Sequence, residues 1–239
     1  MKICILQTDD RTNLNYFKLT EYINNVVVTR LSAEFNILYK FVLNTTDEVN
    51  VHGATRKILT LLNFMNSNKD IDIIIFLDTD AWVQDKNNLS QLLYHLDGNL
   101  DIHGMFSRDP YYDINTYINS GSFIIRNNSF TRGLWSEMKE YMLTDNRFHN
   151  EWPYDQWYIS EIIYRNRNNF LIFNPEVLNT PIGSTLRHNW YKNQRLYTDI
   201  DNLIKSNCDG EIKRLDIKAL LDTEPFPNKN KNDDYYFRV

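Results

Sequence analysis

The sequence predicts an α/β protein with a mostly parallel central sheet and helices on both faces, and three observations predict it. Residues 71–77 form a short, almost purely apolar run rich in β-branched side chains, which reads as a strand buried on both faces. Before it, apolar strand-like runs alternate with segments whose apolar residues recur at helical spacing, the pattern of parallel strands joined by crossover helices. The run then ends abruptly in Asp78-Thr79-Asp80, two acids at the carboxyl end of a central strand, where open α/β sheets bind their ligands.

Each element follows from its own pattern. Residues 2–8 form a first strand that opens into the polar loop Asp9-Asp10-Arg11-Thr12-Asn13. A helix is expected over about residues 16–34, with Phe17, Tyr22, Val26, Thr29 and Ala33 near helical spacing. Residues 37–43 read as a second strand. Gly53 turns the chain into a helix over about residues 54–66, apolar at Ile58, Leu61, Leu62 and Met65. After the central strand, residues 88–96 place Leu89, Leu92, Leu93 and Leu96 on one helical face, and residues 102–106 read as a strand.

The second half is more mixed. Residues 117–126 read as a strand interrupted by Asn119-Ser120-Gly121-Ser122, and a glycine inside a strand often marks a close backbone approach. A helix over about residues 130–143 follows, then one opened by Pro153 and running to about residue 167, proline suiting a first turn. Residues 170–173 form a short strand. From about residue 198 the chain turns polar, and residues 225–232 are linker-like. The expected organisation is one domain over residues 1–197 and a small polar annex or linker over residues 198–239.

Bulk properties narrow the function. The 239 residues, 42% apolar, suffice for one large domain with a substantial core. A net charge of −5 with no dense Lys/Arg block argues against a nucleic-acid partner, whose binding needs clustered cations. Cys4 and Cys208 show neither a disulfide framework nor zinc spacing. The N-terminal apolar run is too short for a secretory signal and no segment is long enough for a bilayer, so a cytoplasmic protein without membrane insertion is expected. Nothing in the sequence speaks to oligomeric state.

The Asp78/Asp80 pair carries the chemistry. If the chain stays extended past residue 77, alternate residues aim both carboxylates at one spot. Two hard oxygen ligands suit Mg²⁺ or Mn²⁺, and such an ion shares its remaining positions with a substrate phosphate. Helix capping is the competing account of Asp-Thr-Asp. There is no G-x-G-x-x-G and no P-loop, which increases the need for a metal if the substrate is a diphosphate.

Four stretches line up in order. They are Phe76-Leu77-Asp78-Thr79-Asp80-Ala81, Asn119-Ser120-Gly121-Ser122-Phe123-Ile124-Ile125-Arg126-Asn127, Tyr154-Asp155-Gln156, and Arg187-His188-Asn189-Trp190. Over about residues 1–195 the chain resembles the nucleotide-sugar glycosyltransferases of the GT-A fold, and most closely family 34, the galactomannan galactosyltransferase and xyloglucan xylosyltransferase group. It departs from that family at Tyr154, where an acid often precedes the Asp-Gln pair, and after His188, where H-x-x-G is usual. Large DNA viruses encode soluble relatives, and the Asn-, Ile-, Lys- and Tyr-rich composition fits such a source.

The resemblance implies transfer of a sugar from a UDP-sugar to a hydroxyl of a glycan or glycoprotein acceptor, with Mn²⁺ as cofactor and Mg²⁺ as the alternative. It implies Asp80 as a metal ligand, and Asp78 either as a ligand or as a ribose contact holding a water on the metal. Thr79 belongs to the same donor-binding turn. His188 is the third candidate ligand, and an imidazole ligand favours Mn²⁺. Thr8, Asp9 and Arg11 would hold the uridine and Lys57 the diphosphate, with turn chemistry and a solvated helix cation as the respective rival accounts. Asn119, Ser120 and Gly121 would lie against the donor sugar, with Asp155 and Gln156 beneath its anomeric carbon as catalytic residues.

Retention at that carbon is expected, because Gln156 is a neutral amide and a poor nucleophile, which favours attack on the leaving-group face. Rival functions fit less well. A haloacid-dehalogenase-type phosphatase wants Thr or Val where Trp82 stands, and a sugar nucleotidyltransferase wants a glycine-rich loop after the first strand. A non-catalytic carbohydrate-binding protein is the rival of a different class. The motifs leave rhamnose, xylose, glucose and galactose open as the sugar.

Overall fold

The computed structural model describes residues 1–11, 13–44, 50–111, 116–190, 203 and 216–221. In chain order the elements are β1 (Lys2–Asp9), α1 (Asn15–Leu31), β2 (Asn36–Leu43), α2 (Gly53–Ser67), β3 (Ile73–Leu77), β4 (Ala81–Val83), α3 (Lys86–Asp97), β5 (Gly104–Ser107) and β6 (Ser122–Arg126). Then come α4 (Ser129–Thr144), α5 (Asp155–Arg165), β7 (Phe170–Phe173), the one-turn α6 (Pro175–Leu178), β8 (Leu186–His188) and the one-turn α7 (Ile217–Leu220). Six strands form one sheet in the order β2-β1-β3-β6-β5-β7. β1 runs parallel to β2 and β3, and β5 parallel to β7; β6 alone runs against its neighbours.

Strand alternation divides the core in two. Ile74 and Phe76 of β3, Cys4 and Leu6 of β1, and Phe123 and Ile125 of β6 face α2, α4 and α5. Ile73, Ile75 and Leu77, Ile3 and Ile5, and Ile124 face α1, α3 and α6. On the first face Phe123 stacks with Phe76 at 4.8 Å and with Phe106 at 5.1 Å, joining three neighbouring strands. Burial pushes the Cys4 thiol up to about 12, so it packs as a small apolar group.

Helix starts are set by local chemistry. Asp85 caps α3 by accepting from the amides of Asn87 and Asn88 at 2.8 and 3.0 Å, an arrangement worth about 1 kcal/mol. Asn128 and Thr131 form a reciprocal capping box at α4.

The structure shortens one expected strand and adds a second sheet. The strand expected over residues 117–126 is only Ser122–Arg126; Asn119, Ser120 and Gly121 leave the ladder, and Ile118 makes an isolated bridge to Arg108. The second sheet was not anticipated: β4 and β8 pair antiparallel, Ala81 opposite His188 and Val83 opposite Leu186. Leu203 packs with Ile23 and Trp82, while Leu221 bridges to Phe173 and, with Ile217, packs on the α1–α3 face. The expected boundary at residue 197, Cys208 and residues 225–232 lie outside the described residues. No described helix is long and apolar enough to cross a membrane.

Candidate functional site

The strand directions bring the candidate residues to one edge. β1 and β3 end there in parallel, Gln7 opposite Leu77, and the reversed β6 begins there, Ser122 opposite Leu77. The loops carrying Thr8-Asp9, Asp78-Thr79-Asp80 and Asn119-Ser120-Gly121 therefore meet, and the Asp78 amide donates to the Gly121 carbonyl at 2.7 Å.

The chain does not stay extended past Leu77. It turns, with the Ala81 amide donating to the Asp78 carbonyl at 2.9 Å. The two carboxylates converge through this turn rather than through strand alternation. A turn so deeply placed needs donors for its carbonyls. Gln7 Nε2 donates to the carbonyls of Asp78 (2.9 Å) and Ala81 (3.2 Å), and Thr20 Oγ1 donates to that of Thr79 at 2.7 Å. Asn24 Oδ1 accepts from the Val83 amide at 3.0 Å. The sequence does signal these residues: Gln7 is polar at the end of an apolar run, and Thr20 and Asn24 stand four apart on the face of α1 that buries Ile23 and Val27.

The β4–β8 register brings in His188. Its Nε2 lies 3.2 Å from Asp80 Oδ1 and 3.8 Å from Asp78 Oδ2, and the three ligand atoms lie within 4.8 Å of one another. Adjacent ligands of a six-coordinate ion with bonds of about 2.1 Å stand about 3 Å apart and opposite ones about 4 Å, a range in which the 3.2 and 3.8 Å separations of His188 from the two carboxylates fall. Two carboxylates and an imidazole suit Mn²⁺ better than Mg²⁺. The ring rests against Gly121, where a Cβ would fall 2.0 Å from His188 Nδ1. Gly121→Ala should displace the ring and weaken Mn²⁺ binding by about 10–100-fold, as measured by calorimetry. Unchanged affinity would show that His188 is not a ligand.

Burial lowers the basicity of His188, but Asp80 and then Asp78 outweigh it and hold its pKa above the ordinary value. In the metal-free protein this charge pairing stabilises fully below the unfolded pKa of about 6.5 and is lost as pH rises through the raised value. An ion needs the neutral imidazole, so metal stabilisation grows over the same window. The Tm difference between Mn²⁺-loaded and chelator-treated protein should widen as pH rises from about 6.5 through the raised His188 value. A constant difference would remove His188 from the ligand set.

Beneath Asp78 lies a buried ammonium. Lys57 Nζ is 2.9 Å from Asp78 Oδ1, 3.1 Å from Asp155 Oδ2 and 3.3 Å from the Ser120 carbonyl, and the Lys57 side chain is 5% exposed. The ammonium donates to Asp78 and to the Ser120 carbonyl and pairs by charge with Asp155. Burial disfavours the ammonium, but Asp155 and Asp78 outweigh it and Lys57 stays charged. Burial raises the Asp155 carboxyl to about 6 against the pull of Lys57. Asp155 opens α5 directly after Tyr154, whose φ of 56° is a left-handed value costly for a non-glycine residue. The Tyr154 ring stacks on His52 at 4.3 Å.

Gln156 is held at both ends. Its Oε1 accepts from the Ser120 amide at 3.4 Å and its Nε2 donates to Asp109 Oδ2 at 3.1 Å, an oxygen that also takes Asn119 Nδ2 at 2.9 Å. Asp109 is buried and escaped the sequence reading, because a lone acid in a mixed segment carries no periodic signal.

A cavity of about 490 Å³ opens over this edge, a size usual for small-ligand sites. Thr8, Asp9, Arg11, Lys57, Asp78, Thr79, Asp80 and His188 all line it. Arg11 grips Asp9 through Nε at 2.9 Å and Nη2 at 3.2 Å, and Thr79 Oγ1 donates to Asp9 at 2.7 Å. Burial pushes Asp9 up, yet Arg11 and Thr79 hold it below the usual carboxylate range. Thr8 Oγ1 and Asn44 Oδ1, both buried and both in the lining residues, have no partner among the described residues. The start of α2, Gly53 and Ala54, also lines the cavity.

Comparison with solved structures decides the architecture. The chain is similar to a crystal structure described as a glycosyltransferase involved in the glycosylation of the major capsid of PBCV-1, with a TM-score of 0.62 and 14% identity, over 85% of this chain and 98% of that one. The fold is GT-A. No family model matches the sequence, and no curated protein matches it. On this GT-A sheet Asn119, Ser120, Gly121, Asp155 and Gln156 do not line the cavity but stand behind it, Ser120 and Asp155 bonded to Lys57 and Gly121 to Asp78. His52 and His149 hold the start of α2: His52 Nδ1 accepts from the Ala54 amide, and the His149 carbonyl accepts from Thr55 Oγ1.

Proposed function

We propose that this protein is a metal-dependent glycosyltransferase that moves a sugar from UDP to a hydroxyl of a glycan or glycoprotein, with retention of anomeric configuration. The observation that carries the reading is the convergence of Asp78, Asp80 and His188 on a cavity at the ligand-binding edge of a GT-A sheet. The four motif stretches that resemble family 34 support it, as does the naming of the solved neighbour as a glycosyltransferase. A viral source, which the composition favours, and action in the cytoplasm belong to the same reading.

An ion held by Asp78, Asp80 and His188, Mn²⁺ by its donor set, would stabilise the charge that develops on the leaving diphosphate. The first turn of α2 adds the partial positive charge of a helix N-terminus to the same cavity. Thr8 Oγ1 and Asn44 Oδ1 supply a hydroxyl and an amide acceptor that suit the carbonyl and N–H edge of uracil. As the bond from the anomeric carbon to the phosphate oxygen breaks, the acceptor oxygen bonds to that carbon on the same face. The acceptor's proton passes to the leaving phosphate oxygen. Gln156, behind the cavity, holds the Ser120 amide through Oε1 and so positions the segment that braces Lys57 and Asp78. Ser120 and Gly121, behind the cavity, shape it by bracing Lys57 and Asp78, and Asn119 ties that segment to Asp109.

The test is a panel of nucleotide sugars with Mn²⁺, read by thermal stabilisation and slow donor hydrolysis. One UDP-sugar should stabilise and be hydrolysed only with the ion present, and NMR of a transfer product should show the donor's anomeric configuration. Binding without hydrolysis or transfer would leave a carbohydrate-binding protein, and an inverted product would refute retention.

A further inference from the structure

His188 is useful to an ion only if Nε2, not Nδ1, carries its lone pair toward the carboxylates, and a second buried residue decides this. Asn179 follows α6 and is fully buried. Its Nδ2 donates to the Asn119 carbonyl at 3.0 Å and the Ser122 carbonyl at 2.8 Å. Turning the amide over would set an oxygen against two buried carbonyls, so its orientation is fixed. Asn179 Oδ1 then faces His188 Nδ1 at 3.0 Å. An oxygen acceptor at that distance is compatible only with an N–H on Nδ1.

We propose that Asn179 is a positioning residue for the metal site, its fixed amide keeping His188 Nδ1 protonated so that Nε2 is free to ligate beside Asp78 and Asp80. The same amide spans both ends of the Asn119–Ser122 segment, whose Gly121 accepts the Asp78 amide and leaves room for the ring. One residue thereby ties the imidazole to the loop that braces the first carboxylate. Partners of this kind around metal-bound histidines set tautomer and ring orientation. The inference rests on the metal reading of Asp78, Asp80 and His188.

Two measurements test it. In two-bond proton–nitrogen spectra of histidine-labelled wild-type protein, His188 Nδ1 should give the shift of a protonated nitrogen, without metal and with Mg²⁺ as the diamagnetic probe. A pyridine-type Nδ1 in either state would overturn the proposal, and this arm needs no variant to fold. In the second, Asn179→Ala should weaken Mn²⁺ binding by about 10–100-fold, measured by electron paramagnetic resonance of free Mn²⁺. Folded Asn179→Ala protein that binds Mn²⁺ as wild type does would also overturn it. Wild-type protein that binds no Mn²⁺, with Nδ1 protonated, would instead sink the metal reading and leave Asn179 orienting an unligated histidine.

Discussion

Asp80→Ala should bind UDP no better in Mn²⁺ than in EDTA. Asp80 Oδ1 is the carboxylate oxygen nearest His188 Nε2, at 3.2 Å, and sits at the heart of the candidate ligand set. Outer-shell changes typically cost about 10–100-fold in metal affinity, so loss of a direct ligand should cost more than about 100-fold. The fold should survive, because the turn is held by backbone: the Asp80 carbonyl accepts the Asn189 amide at 2.9 Å, and Gln7 and Thr20 hold the neighbouring carbonyls. Calorimetry of UDP with and without Mn²⁺, beside a thermal melt, is the measurement. Wild-type UDP affinity that survives EDTA, or an Asp80→Ala affinity equal to wild type in Mn²⁺, would end the metal-dependent reading.

Lys57→Met should cost about 3–5 kcal/mol of stability at neutral pH, the usual penalty for removing one partner of a buried ionic group. The Asp155 side chain is only 4% exposed and that of Asp78 28%, so water does little to replace the lost ammonium. Without Lys57 the Asp155 carboxyl, already raised to about 6, should rise further. A carboxyl raised in the folded state stabilises below its unfolded pKa, and that contribution is lost as pH rises through the folded value. The deficit should therefore shrink in acid, and adding Asp155→Asn should restore part of it. Urea denaturation at about pH 7.5 and about pH 5 measures both. A neutral-pH loss below about 1 kcal/mol would mean that the two carboxylates are not both charged in the native protein.

How much of this was legible depended on whether the determinant was local. The buried central strand, its neighbours and most helices could be read because alternation and helical spacing are written in consecutive residues. Asp78 and Asp80 stood out by their position at a strand end, although the turn that joins them did not. His188 reaches the site through two three-residue strands, too short for alternation to register and more than a hundred positions apart, so only its motif context pointed to it. Lys57 had the look of an ordinary helix cation. Its burial comes from the packing of α2 on β1 and α5, which no local pattern encodes. Asp109 and Asn179 are single polar residues whose importance lies wholly in what folds against them.

The division of the strands between two cores has a consequence for how this chain can change. Neighbouring residues such as Ile74 and Ile75 share a strand but no core, one serving the α2 face and the other the α1–α3 face. Substitutions more than about 7–10 Å apart on opposite faces, with no shared packing partner, add in their effects instead of compounding. Each core also asks mainly for apolar volume, a demand that many combinations of side chains meet. Two sides of one sheet can thus drift separately, each within its own tolerance. That is a physical route by which two chains only 14% identical keep a common architecture.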